Sequence, residues 1–166
     1  MIRQFSVGGV VYRREGKGIV WLVRKSSAGE GYGGTRGWNL PKGWIDDEDG
    51  GKKPGQKTLG IDRATKQEME EAAVREVAEE GGVRAKVLGR LGEVRVFFHN
   101  KEKERVFKTI IFYLMEYEGD LEEGFGWETE EVRWVDMAEA ERVLEYKNER
   151  EMIEKAMTRV RKEGGE

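Results

Sequence analysis

Cysteine is absent from this 166-residue sequence, and histidine occurs once, at His99. The lack of cysteine excludes disulfide bonds, thiol nucleophiles and thiolate metal ligands, and it is typical of proteins from a reducing compartment. The single histidine stands in a charged turn, so a zinc site made of clustered histidines is also excluded. Any metal site must therefore be built from oxygen ligands, which suit Mg²⁺, Mn²⁺ or Ca²⁺.

Long hydrophobic runs are also absent, and no segment approaches the length that spans a membrane. The first residues, Met1–Gln4, have no apolar core of a secretion signal. The formal net charge of -3 argues against bulk binding of nucleic acid. We therefore expect a soluble, cytoplasmic protein without a membrane partner. The length predicts one domain over residues 1–166.

Carboxylates are abundant in one short segment. Between Glu68 and Glu80, thirteen residues include six acidic side chains, and Arg75 is the only cation. In a helix Glu76, Glu79 and Glu80 stand at i, i+3 and i+4, so their side chains point to one face. Glu-rich helices are commonly solvated faces, but this local charge is more negative than helix stability alone favours. The pattern indicates a bound divalent cation.

A second segment, Trp38–Ile45, is typical of a strand with a Pro-Gly turn. Together with Arg75-Glu76-Val77-Ala78-Glu79-Glu80-Gly81-Gly82-Val83 it resembles the signature of the Nudix hydrolases. In that family a Gly opens the signature, a Glu follows after five residues, and Arg-Glu-aliphatic-x-Glu-Glu-x-Gly-aliphatic comes after seven more. Here Gly43 opens the pattern and the nine-residue stretch closes it.

Two departures from the family pattern lie between those ends. The intervening chain is longer by about eighteen residues, and Gln67 replaces the usual Glu eight residues before Arg75, with Glu68 one residue out of register. The excess is a Gly- and Lys-rich insertion at about 46–61. Two interpretations of it stay open: a solvated, dispensable loop, or a basic lid that closes over phosphates.

Sequence periodicity places strands and helices around these motifs. We predict strands at 5–12, 19–23, 38–45, 83–98, 105–117 and 132–135, a Gly-rich loop at 26–37, and helices at about 62–81 and 138–160. This order indicates an α/β (α+β) fold, an α/β/α sandwich with a mixed β-sheet between helices. The Nudix fold has the same order.

The resemblance implies that Glu76, Glu79 and Glu80 bind the metal, joined by the main-chain carbonyl of Lys42. The expected ion is Mg²⁺ or Mn²⁺, which neutralises phosphate charge and activates water for attack on a phosphoanhydride. Glu79 and Glu80 are assigned to catalysis together with Arg75, whose planar guanidinium would orient the carboxylates. An ordinary helix ion pair is the alternative for Arg75.

The general base stays open at the level of sequence. Several members of the family use a Glu on a loop after the central strands. Five glutamates of the segment 119–131 fit that description: Glu122, Glu123, Glu128, Glu130 and Glu131. Glu80, acting through a metal-bound water, competes with them.

The segments Leu40–Gly43 and Lys108–Glu116 resemble those of the diadenosine polyphosphate hydrolases and their diphosphoinositol polyphosphate relatives. The resemblance implies a dinucleoside polyphosphate substrate such as diadenosine tetraphosphate. Candidate contacts of the polyphosphate are Lys42, Lys108, Arg24 and Lys25.

An aromatic ring is expected to stack on a base of such a substrate, with Tyr113 or Tyr32 as the candidates. Tyr113 and its neighbour Phe112 point to opposite faces of one strand, so the alternative is that both pack inside.

Other functions stay open beside this one. The same chemistry would suit a nucleoside triphosphate, a diphosphoinositol polyphosphate or an RNA 5′ end. A nucleotide-binding regulatory module without turnover is a third hypothesis, supported by Gln67 and the insertion, and opposed by the intact carboxylate cluster. Assembly as a homodimer is also left open.

Overall fold

The computed structural model describes residues 1–27 and 37–163. Its strands are β1 (Ile2–Glu15), β2 (Gly18–Ser26), β3 (Trp38–Asn39), β4 (Lys42–Trp44), β5 (Asp47–Glu48), β6 (Lys53–Pro54), β7 (Val83–His99), β8 (Arg105–Asp120) and β9 (Thr129–Val135). Its helices are α1 (Lys66–Gly81), α2 (Met137–Val143) and α3 (Lys147–Glu163). Most of the predicted 26–37 loop, with Tyr32, lies outside the described residues. None of the helices in the described ranges is long and apolar enough to cross a membrane.

One mixed sheet forms the centre of the molecule. Along one edge β1 pairs in parallel with β8, and β8 pairs antiparallel with β7. Along its other edge β1 pairs antiparallel with β2 through residues 12–15 and with β4 through residues 6–8. β2 pairs in turn with β3 and β9. β1 and β2 therefore diverge, and residues 38–44 fill the wedge between them.

Alternate residues of the central strands face two separate layers. Phe112 is fully buried in a cluster with residues of α2 and α3, such as Ala140 and Ile153. Tyr113, next along β8, is buried in a cluster with Val77 and other residues of α1. Helices thus cover both faces of the sheet, which confirms the predicted α/β/α sandwich.

Helix α1 begins at Lys66 and not at the predicted Asp62, because a capping box fixes its first turn. The amide of Glu68 donates to the Thr65 hydroxyl over 3.1 Å, and the amide of Thr65 donates to the Glu68 carboxylate over 2.9 Å. At the other end Gly82 adopts a left-handed φ of 71°. That termination agrees with the Gly-Gly pair in the sequence.

The insertion is folded. β5 and β6 pair around a short 3₁₀ turn, and Asp46 closes the base of this hairpin by accepting the Thr58 amide over 2.9 Å. Thr58 is fully buried, and its carbonyl accepts the Phe5 amide of β1 over 2.7 Å. Residues 47–53 are exposed, whereas Gly55 and Thr58 are buried, so the segment is solvated at its tip and packed at its base. Whether it is dispensable stays a prediction. The basic lid stays a prediction, with Lys52 and Lys53 exposed on the hairpin.

Candidate active site

The last two turns of α1 present the three predicted metal ligands, and their exposure differs. Glu80 is 8% exposed, whereas the side chains of Glu76 and Glu79 are 13% and 60% exposed. The helical spacing brings them to one face, as the sequence predicts. The face therefore runs from the protein interior at Glu80 to solvent at Glu79.

Glu80 is held by the chain on both of its oxygens. Oε1 accepts the main-chain amide of Lys42 over 2.9 Å, and Oε2 lies 3.5 Å from the guanidinium of Arg24. Burial raises the pKa of the Glu80 carboxyl, while Arg24 and Lys42 act against that rise. This carboxylate is consequently fixed in place before any ligand arrives.

Glu76 lies directly against Gly43, the residue that opens the signature. A Cβ atom at position 43 would overlap the Glu76 carboxylate, so a larger residue would require the Glu76 side chain to shift. Burial, followed by the charges of Glu80 and Glu79, raises the pKa of the Glu76 carboxyl to about 8. The charges of the neighbouring carboxylates therefore add to the effect of burial on Glu76.

Arg75 joins the helix to the chain that follows Gly43. Its guanidinium donates to the carbonyls of Trp44 and Ile45, each over 3.0 Å. The same side chain lies 3.4 Å from a Glu76 oxygen and 3.9 Å from a Glu79 oxygen. This geometry suits the orienting role expected of Arg75, because one fork contacts both neighbouring carboxylates and is itself anchored.

The three carboxylates supply suitable chemistry for a divalent ion but are not gathered into a finished site. Within residues 1–27 and 37–163, no three His, Cys, Asp or Glu side chains are positioned to hold a metal together. The donors nevertheless fit a hard cation, since they are all oxygen and the pKa of Glu76 is raised partly by like charges that a cation would neutralise. The exposed Glu79 would have to turn inwards to join the other two.

Two of the predicted phosphate contacts are engaged inside the protein. Arg24 is 4% exposed, and its guanidinium donates to the Glu128 carbonyl over 2.7 Å and to the Ser26 hydroxyl over 2.9 Å. The ammonium of Lys42 lies 2.9 Å from the carboxylate of Glu149. Substrate contact by Arg24 and Lys42 stays a prediction. In the structure both residues contact Glu80, Arg24 through its guanidinium and Lys42 through its main-chain amide.

Lys108 is the predicted phosphate contact whose charge interacts with the carboxylates of α1. Burial and then the charge of Lys42 lower the pKa of the Lys108 ammonium to about 8, while Glu80 and Glu76 act against that change. Lys25, the remaining candidate, forms an ion pair with Glu130 at 3.5 Å. Substrate contact by Lys108 and Lys25 stays a prediction.

Tyr113 requires a correction. Its ring is 2% exposed and packs with α1, so it offers no surface on which a base could stack. Tyr113 and Phe112 both belong to the core, which is the alternative left open by the strand pattern. The other candidate, Tyr32, lies outside the described residues.

The loop 121–128 docks on the end of the carboxylate helix. The amide of Gly126 donates to the Glu79 carbonyl over 2.6 Å, and the Thr129 hydroxyl donates to the Glu80 carbonyl over 2.8 Å. Thr129 was not expected from sequence, since one threonine among glutamates carries no signal of this contact. The loop brings Trp127, 79% exposed, to the rim of the site.

This loop and the start of β9 also carry the five candidate bases. Glu130 and Glu131 form ion pairs with Lys25 and Arg133 at 3.5 Å and 3.1 Å. Glu122 and Glu123 are exposed, and Glu128 is half-buried with its carbonyl bound by Arg24. The assignment of the base therefore stays open between this group and Glu80.

Comparison with known proteins agrees with this geometry. The NUDIX domain model matches residues 2–156. A proposed mutator protein, MutT4, of Mycobacterium tuberculosis (strain CDC 1551 / Oshkosh) is 36% identical over 119 residues, which make up 72% of this chain and 40% of that protein. The chain thus spans less than half of the length of this curated relative.

Solved structures share the fold at low identity. The C. elegans Ap4A hydrolase binary complex matches with a TM-score of 0.62 and 18% identity, covering 95% of this chain and 97% of that one. The NUDIX domain of Shewanella oneidensis NrtR complexed with ADP ribose matches with a TM-score of 0.59 and 16% identity, covering 96% of this chain and 90% of that one. The MutT protein from Methanosarcina mazei Go1 has a TM-score of 0.59 and 16% identity, covering 95% of both chains.

The chain belongs to the NUDIX family. Proteins of this family generally use divalent metal ions and act on small nucleotide substrates.

Proposed function

We propose that this protein hydrolyses a phosphoanhydride bond of a dinucleoside polyphosphate, such as diadenosine tetraphosphate, with Mg²⁺ or Mn²⁺ as its cofactor. The observation that carries the proposal is the carboxylate face of α1, where Glu76 lies against Gly43 and Glu80 accepts the Lys42 amide. Lys108 adds a cation whose charge interacts with both carboxylates. A cation next to a carboxylate face suits a substrate whose phosphate chain extends beyond the bond that is broken. The similarity in fold to an Ap4A hydrolase supports this choice of substrate.

Each side chain of the site has a distinct role in this proposal. Glu76, Glu79 and Glu80 hold the cation, which supplies neutralisation of phosphate charge and a deprotonated water. Arg75 orients Glu76 and Glu79 from the side of Trp44 and Ile45. Lys108 binds a phosphate oxygen of the leaving portion, and the positive charge there stabilises the developing negative charge.

Product analysis tests the proposal. The protein is incubated with Mg²⁺ and, separately, with diadenosine tetraphosphate, nucleoside triphosphates and a diphosphoinositol polyphosphate, and products are separated by anion-exchange chromatography. We expect ATP and AMP from the tetraphosphate, and a loss of at least about tenfold in kcat for Glu80→Gln. Glu71→Gln, an exposed site on the same helix, is the matched control and should retain wild-type activity.

Hydrolysis of nucleoside triphosphates is the second candidate, because the same carboxylate face would serve a phosphoanhydride bond of a triphosphate. Release of pyrophosphate from a triphosphate, with the tetraphosphate left intact, would decide for this candidate. Binding of nucleotides without any turnover would instead support the regulatory module, and equal activities of Glu80→Gln and wild type would refute the metal-binding role of Glu80.

A further inference from the structure

A buried carboxylate outside α1 has no role in the function described so far. In the described residues, Arg24, Glu80 and Glu149 are the charged residues that are buried, and the first two belong to the site. Glu149 lies in the first turn of α3 and is 2% exposed. A carboxylate in that position is costly unless it is paired and hydrogen-bonded. Its partners therefore indicate what it does.

Both partners of Glu149 belong to the signature segment Leu40-Pro41-Lys42. Oε1 accepts the Leu40 amide over 2.8 Å, and Oε2 lies 2.9 Å from the Lys42 ammonium. The Glu149 carboxylate thus binds the first and the last residue of this segment. The main-chain amide of Lys42 donates on the other side to Glu80 over 2.9 Å. The segment is consequently held between Glu149 and Glu80.

The chain around Glu149 is fixed to the same strand, so this contact is firm. Leu144 forms a bridge with Trp38, and the Glu145 amide donates to the Trp38 carbonyl over 3.1 Å. Within α3, Met152 and Ile153 are buried in the core against the sheet. The start of α3 therefore has little freedom to move away from residues 38–42.

A second route connects Glu149 to Glu80 through side chains. The Lys42 ammonium also donates to Asn39 Oδ1 over 3.3 Å, and Asn39 Oδ1 accepts from Arg24 over 3.1 Å. Arg24 in turn lies 3.5 Å from Glu80. Without Glu149, the Lys42 ammonium would be able to move within this network, where it would compete with Arg24 for the Asn39 oxygen.

We propose that Glu149 is a positioning residue for hydrolysis: it orients the Leu40–Lys42 segment so that the Lys42 amide fixes Glu80. Glu149 does not touch the substrate in this account. This inference rests on the proposed function, because the proposed function is what makes Glu80 a metal ligand. Outer residues of this kind commonly change metal affinity or activity by about 10- to 100-fold.

The test compares Glu149→Ala with Ile153→Ala, a destabilising change in the same helix one turn further on. We expect Glu149→Ala to lower kcat about tenfold and to leave KM within about threefold of wild type. Mn²⁺ affinity, measured without substrate by electron paramagnetic resonance, should fall about tenfold. Hydrogen exchange of the Leu40 amide should become faster. Ile153→Ala should lose stability but keep Mn²⁺ affinity, Leu40 exchange and kcat at temperatures where it is folded.

Glu149→Gln keeps an oxygen for the Leu40 amide and removes the ion pair, so we expect intermediate effects. If Glu149→Ala does not fold, Glu149→Gln against Ile153→Val gives the same comparison. Equal losses of Mn²⁺ affinity in the Glu149 and Ile153 variants, or none in either, would overturn the proposal. If wild type hydrolyses no substrate of the panel, the proposed function fails, while Mn²⁺ affinity and Leu40 exchange still decide the role of Glu149.

Discussion

At the scale of single residues, the absence of a side chain at position 43 shapes the site. Gly43→Ala would force its methyl group into the Glu76 carboxylate, which is packed against it. We expect the variant to fold, because the strand pairing of Val7 with residue 43 does not depend on the side chain, and to lose at least about tenfold in kcat. Steady-state kinetics with Mg²⁺ measure the change.

Gly18→Ala is the matched control for this substitution. A methyl group at position 18 would lie 3.7 Å from the Glu15 carbonyl, an ordinary contact, so activity and stability should stay close to those of wild type. Wild-type kinetics in Gly43→Ala would show that Glu76 has room to move and that close packing here is unimportant.

Residues with local relationships were predicted well from the sequence, and residues with distant partners were not. The shared face of Glu76, Glu79 and Glu80 follows from helical geometry alone. The direction of the Lys42 side chain depends on Glu149, and that carboxylate also binds an amide 109 positions away. The periodicity of a sequence does not indicate contacts between distant residues. From the sequence, Glu149 was therefore indistinguishable from the other acidic residues of the amphipathic helix.

At the scale of elements, the insertion should depend on its buried threonine. The Thr58 hydroxyl donates to the Asp46 carbonyl over 2.8 Å and accepts the Asp46 amide over 3.1 Å. Thr58→Val keeps the shape and removes the partner of the Asp46 amide, while the Asp46 carbonyl keeps the Gly55 amide at 3.0 Å. We therefore expect a loss of about 1–3 kcal/mol in the free energy of unfolding. Urea denaturation measures it. Thr158→Val, at an exposed site on α3, should cost less than about 0.5 kcal/mol.

The insertion is also tied to α1 by an ion pair that acid should break. The hydrogen bond from Lys57, then that from the Thr65 amide, lowers the pKa of Glu68 from 4.5 to about 2. Because the folded pKa lies below the unfolded one, the stabilisation is complete above about pH 4.5 and is lost as the pH falls towards 2.

Thermal unfolding at a series of pH values tests this pair. Glu68→Gln should melt below wild type near neutral pH, and the difference in Tm should shrink as the pH falls through that window. Glu71→Gln, in the same turn region of α1 and exposed, should show no such convergence. A constant difference for Glu68→Gln down to acid pH would mean that the pair contributes nothing to folding.

Element boundaries show the same division between local and distant causes. The capping box of Thr65 and Glu68 lies within four consecutive residues, so the start of α1 was present in the sequence. The predicted helix 138–160 is divided, because Leu144 leaves the helical conformation and bridges to Trp38. The insertion closes through Asp46 and Thr58, twelve positions apart, and its composition favoured a solvated loop or a basic lid instead.

At the scale of the whole molecule, a bound metal should stabilise the fold by mass action. A ligand that binds only the folded state at 100 times its Kd adds about 2.7 kcal/mol. We expect Mg²⁺ to raise the Tm of wild type and a chelator to reverse the rise. The Tm of the double variant Glu76→Gln/Glu80→Gln should rise with Mg²⁺ no more than it rises with NaCl of equal ionic strength. A Mg²⁺-dependent rise in Tm as large as that of wild type would show that the ion binds elsewhere.

The wedge between β1 and β2 determines which segments of the chain can vary in length and sequence. Its carboxylate face is bound to the central sheet through Lys42 and Arg24, so it is part of the framework. The exposed tip of the insertion at residues 47–53 and the loop 121–128 lie outside that framework, so their length and composition can change with less effect on the sheet. Under the proposed function, the chemistry would then belong to the framework and the choice of substrate to these outer segments.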